Sequence, residues 1–130
     1  MLDERPTASE LIAAVAEFIE MKAAPQLDAR TAFHAKVAVN VLRIVERELD
    51  RERRGGNETE LARLRALCNG GDNTDLATLN RELCARIADG RIAIDDPVLQ
   101  DHLTSSVLDR IAVDNPKYPS LIAVGPKRAR

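Results

Sequence analysis

Few side chains in this sequence can do chemistry near neutral pH. The chain has two histidines, two cysteines and one tyrosine among 130 residues. His34 is placed most oddly. In TAFHAKVAVNVLRIVERELD, residues 31–50, Phe33, Val37, Ala38, Val41, Leu42, Ile44, Val45 and Leu49 fill one broad arc at about 100° per residue. His34 stands near the middle of that arc. Such a ring is either a core histidine bonded to a neighbouring helix or a contact to a ligand or partner. Asn40 lies at the edge of the same arc. Asn80, between Leu76 and Cys84, is expected to face inward. Either amide would fix helix register through a hydrogen bond or bind a ligand, since a buried amide must find partners. His102 falls at the margin of a later apolar stripe, where half exposure is expected. Lys36, Arg43 and Arg47 sit on the polar side of the long helix, where such residues form solvated pairs with nearby acids.

A second polar cluster is DNPKY, residues 114–118. Asp114 and Asn115 before Pro116 make a good helix stop, with side chains free to bond backbone groups. Tyr118 follows that rigid turn, which would aim its ring at the body of the protein or at a partner. His34, Asn40, Asp114, Asn115 and Tyr118 are therefore the candidate binding or partner-contact residues.

The familiar catalytic patterns are absent from the sequence. There is no G-x-x-x-x-G-K-[ST] loop, no G-x-S-x-G elbow and no H-E-x-x-H pair. DNTD places acids at Asp72 and Asp75 but lacks the glycine and distal glutamate of a calcium loop. Cys68 and Cys84 lack metal-ligand spacing and read as free thiols in a reducing compartment. No metal or cofactor is expected. No nucleophile, base and orienting group can be assembled from local spacing, so catalysis by the chain alone is not expected.

The elements that must position these residues are helices. Thr7 with Glu10 forms a capping box, and Leu11, Ile12, Val15, Phe18 and Ile19 follow at helical spacing. That helix is expected to stop at Ala24-Pro25. Asp28 is the expected N-cap of the long second helix, which runs to about Arg53 and ends at Gly55-Gly56. Asn57 with Glu60 is expected to cap a third helix that buries Leu61, Leu64 and Leu67. A fourth carries Leu76, Leu79, Leu83 and Ile87 inward and ends at Gly90. RIAI, residues 91–94, reads as a short extended link. Asp96-Pro97 opens a fifth helix with Leu99, Leu103, Val107 and Ile111 as its stripe. LIAV, residues 121–124, reads as an extended strap. The expectation is an all-α, compact bundle of about five helices over residues 1–120, then an irregular basic tail, 121–130.

Composition agrees. Hydrophobic residues make up 45% and charged residues 31%, the balance of a globular chain, while aromatics at 2% leave the core to Leu, Ile, Val and Ala. A net charge of −2 gives no electrostatic case for nucleic acid. No apolar run reaches the length of a membrane span. The start, MLDERPT, has no apolar signal segment, so a cytoplasmic location is expected.

Taken in order, RPTASEL, FHAKVAVNVL, LNRELCARIADG and DDPVLQDHL…LDRIAVDNPKY resemble a family of small bacterial helical proteins of unassigned function. Members accompany an aminoglycoside-phosphotransferase-like kinase and an acyl-CoA dehydrogenase. Their best-understood setting is the breakdown of short hydroxy acids, such as levulinate-derived 4-hydroxyacyl-CoA, whose hydroxyl is phosphorylated. The resemblance covers roughly residues 4–120 and implies an accessory subunit of the kinase, non-catalytic by itself. Its pattern falls on Phe33, His34, Val37, Ala38 and Asn40, and again on Asp114, Asn115, Pro116 and Tyr118, with no role assigned to any of them. Two other readings stay open: a stand-alone small-molecule binder or enzyme using His34, and a homo-oligomeric structural module.

Overall fold

A computed structural model describes residues 5–69 and 74–119. The expected LIAV strap and basic tail lie outside the described residues, as does most of the GGDNTD loop. The fold is all-α, with five α-helices and no strand among the described residues. The contacts divide the chain into two compact units, Met1–Arg54 and Gly55–Arg130.

The first unit is a helical hairpin in which α1 (Ala8–Phe18) packs along α2 (Ala29–Arg53). The capping box forms as the sequence requires. The Glu10 amide donates to Thr7 Oγ1 at 3.2 Å, and the Thr7 amide donates to Glu10 Oε2 at 3.3 Å. Together they satisfy two of the donors that a helix start leaves open. Beyond Phe18 the chain differs from expectation. It stays helical through a π turn, Ile19–Ala23, and a 3-10 turn, Ala24–Gln26. Ala24 keeps right-handed helical angles (φ −57°, ψ −40°) although Pro25 follows it. Pro25 falls at the start of the tight turn, where its missing N–H removes no needed bond. The true break is Leu27, which is extended at φ −97°, ψ 158°. Asp28 then caps α2 as expected, accepting from the Thr31 amide at 2.8 Å.

The second unit holds α3 (Gly56–Cys68), α4 (Leu76–Ala88) and α5 (Pro97–Asp114). α3 packs against both of the others. Its start is two residues earlier than Asn57 suggests. Gly55 takes a left-handed conformation, φ +82°, and so ends α2 and caps α3 at once. That φ is open to glycine at no steric cost. Asp75 caps α4 by accepting from the Thr78 amide at 2.7 Å. Asp96 caps α5, accepting from Val98 and Leu99, with Pro97 in the first turn. Gly90, φ +80°, follows α4 as expected, but RIAI is turned and not extended. The Ile92 amide donates back to Arg86, and the Asp96 amide to Ala93.

The core of this unit is Leu64, Cys68, Leu79, Leu83 and Leu99, flanked by Leu61, Leu67, Leu76, Ile87 and Ile92. Fully burying a leucine contributes about 1.5–3 kcal/mol, so these few side chains dominate its stability. The expected stripe on α5 is rotated. Leu99 is buried, but Leu103 and Val107 are exposed, and His102 and Val113 take the inward places. Asn80 is exposed beside inward Leu79 and not directed into the core.

Candidate functional site

The site is a pocket in the first unit, where the π turn and Ala24 face the first half of α2. It encloses about 390 Å³ and is lined by Glu20, Ala24, Ala32, Lys36, Val39 and Asn40. That volume is within the range of small-ligand clefts. The local sequence explains why space opens there. A π turn widens the helix by one residue, and it carries Glu20. Ala24 and Ala32 are too small to fill the gap. Ala32, Lys36, Val39 and Asn40 fall at i, i+4, i+7 and i+8, so one face of α2 supplies the other wall.

The pocket combines an apolar floor with three polar groups of different kind. Glu20 offers a carboxylate, Lys36 an ammonium, and Asn40 an amide that both donates and accepts. Arg43, a further turn along α2, donates to Glu46 at 2.9 Å. That hydrogen bond, with the charges of Glu46, Glu20 and Glu17, holds the Arg43 guanidinium above its ordinary pKa. The acids at the end of α1 and in the π turn thus face a basic stretch of α2.

Of the residues that sequence reasoning singled out, Asn40 lines this pocket. His34 does not. It is exposed, with its ring edge-to-face against Phe33 at 5.8 Å and 70°. It is therefore neither a core histidine nor a pocket residue. Asp114, Asn115 and Tyr118 belong to the second unit, where the turn does what a helix stop requires. Arg110 donates to Asp114 Oδ1 at 3.0 Å, the Asn115 amide to Ile111 at 2.7 Å, and the Tyr118 amide to Asn115 at 3.0 Å. The Tyr118 side chain is left exposed. Sequence reasoning missed Glu20 and read Lys36 only as a solvated charge. The Lys36–Asn40 spacing of one turn, with Ala32 a turn before, was the available signal.

It also misjudged His102, which is only 3% exposed. Arg63 Nε donates to His102 Nδ1 at 3.2 Å, and Arg63 Nη2 lies 3.8 Å from Asp109. A ring nitrogen that accepts from a guanidinium must be unprotonated. Burial pushes the His102 pKa down, the Arg63 charge pushes it further, and Glu60 opposes both. This cluster ties α5 to α3. Among the described residues, no three histidine, cysteine, aspartate or glutamate side chains gather as a metal site, and no helix is long and apolar enough to cross a membrane.

Residues 25–118, well over half of the chain, match the family described as Domain of unknown function (DUF6285). That description gives no activity, substrate or partner. No curated protein and no solved structure matches.

Proposed function

The chain belongs to the DUF6285 family, and we propose that it works by contact, as the accessory subunit of an aminoglycoside-phosphotransferase-like kinase acting on short hydroxyacyl-CoA. The resemblance of its segments to kinase companions suggests the partner and the substrate class. The observation that carries the contact reading is the pocket between the π turn and α2. An acid, an ammonium and an amide around a small apolar floor suit a polar side chain or a backbone amide of a larger subunit. Tyr118, exposed beyond a rigid turn, is a second contact residue of the kind enriched at interfaces. In this reading Asp114 and Asn115 hold the turn that presents it.

The test pairs the purified chain with the kinase-like protein of its host. ATP consumption with 4-hydroxyacyl-CoA should rise when the chain is added, and the two should co-elute. Lys36→Glu combined with Asn40→Ala should weaken that association roughly tenfold, the effect of losing one good polar contact. A kinase that turns over equally well without the chain, and does not bind it, overturns the reading.

A further inference from the structure

The long helix α2 has a second apolar face, turned away from the pocket. Val39 is its buried residue and faces Glu20 and Ala24. Counting about 100° per residue, Val37 and Val41 each stand about 160° from Val39. Phe33, Val37, Val41 and Val45 are all exposed there, Phe33 at 64% and Val41 at 54%. Four large apolar side chains aligned on one exposed helix face mark an interaction surface.

The polar groups at the two ends of that face bear on what covers it. Arg30 and His34 lie at its N-terminal end, and Glu48 and Glu52 at its C-terminal end. All four fall within about 20° of Val41 around the helix, while Arg51 lies off this line. They are also placed symmetrically along the chain. Val37 and Val45 are equidistant from Val41, as are His34 and Glu48, and Arg30 and Glu52.

We propose that α2 pairs with α2 of a second copy, antiparallel, about a two-fold axis at Val41. Each Arg30 and His34 then meets Glu52 and Glu48 of the other copy, and Val37 meets Val45. Parallel pairing would instead set Arg30 against Arg30 and Glu52 against Glu52. A two-fold interface must be self-complementary, and this face is so only in the antiparallel sense. The span from Arg30 to Glu52 is about 33 Å at 1.5 Å per residue. Contact over that length requires a shallow crossing, about 20°, since a steep one touches only at its centre. This inference stands apart from the kinase reading.

The test uses the full chain. Sedimentation velocity over a wide concentration range should show a dimer. Val41→Glu should make it monomeric with helical circular dichroism retained. Arg30→Glu and Glu52→Arg should each weaken self-association roughly tenfold, and the two together in one chain should restore it. Should Val41→Glu lose its helical signal, cysteine variants in a Cys84→Ser background decide. Val41→Cys should cross-link to itself under mild oxidation. Val37→Cys and Val45→Cys should each fail to do so alone but cross-link to one another when mixed. A chain that is monomeric at every concentration overturns the proposal, whether or not another protein binds the face. So does a dimer in which Val37→Cys and Val45→Cys each cross-link to themselves.

Discussion

At the scale of single residues, the two histidines exchange the places that periodicity assigns them. His34, centred in an apolar arc, is on the surface, and His102, at the margin of a stripe, is buried. Hydrophobic spacing shows which face of a helix is apolar. It does not show whether this chain or another covers that face. His102 has a thermodynamic consequence. Its folded pKa is lowered by burial and by Arg63, so the unfolded chain binds the proton more readily. The contribution is present above the ordinary histidine value of about 6.5 and is lost as pH falls through the folded value. The melting temperature should therefore fall as pH is lowered from neutrality through this range. His102→Gln, which keeps an acceptor for Arg63 but does not titrate, should flatten that dependence. Thermal melts of both proteins across the same buffers provide the check. Asp28, Asp75 and Asp89 are held below the usual carboxylate range by hydrogen bonds to Thr31, Thr78 and Arg91. Their contribution is present above the ordinary aspartate value and lost at more acid pH, so it lies outside the histidine window.

At the scale of elements, the caps at Thr7, Asp28 and Asp96 were legible, whereas Asp75, the capping of α3 by Gly55 in place of Asn57, and the π turn were not. Thr7, Asp28, Asp75 and Asp96 cap their helices because each side-chain oxygen meets a backbone donor that would otherwise be orphaned. Thr7→Ala should cost about 1 kcal/mol, read from urea unfolding. The π turn has no sequence signature of its own, since Ile19–Ala23 continues an ordinary helical pattern. The start of α3 was hidden for a different reason. A glycine pair announces a break, but not which member turns left-handed. Because Gly55 is at φ +82° with open space around its α-carbon, Gly55→Ala meets no steric neighbour and is opposed by backbone strain alone. It should destabilise by about 1–2 kcal/mol, whereas Gly56→Ala, inside α3, should be neutral or slightly stabilising. Chemical denaturation of the two variants side by side separates these cases.

At the scale of the whole molecule, the all-α class followed from composition and spacing. The inward faces of α3 and α4 were also legible, because Leu64, Leu79 and Leu83 fit a single helical period. The pocket was not, because it depends on a π turn and two alanines brought together by tertiary packing. Leu64 is fully buried at the centre of the second unit's core. Leu64→Ala should lower stability by about 2–5 kcal/mol, a cavity cost on top of the lost transfer energy, as measured by urea unfolding. Val107→Ala, on the exposed side of α5, should change it by less than about 0.5 kcal/mol.

The sulfur of Cys68 lies within that core, directed at the Leu79 carbonyl at 3.7 Å, and burial pushes its thiol pKa up; Cys84 is exposed. The protein therefore carries its own chemical clock. Iodoacetamide should add one label quickly, at Cys84, and the second only through molecules whose interior has opened. Intact-mass spectrometry against time would then report the population of that open state when reclosing outpaces alkylation, with no engineered probe.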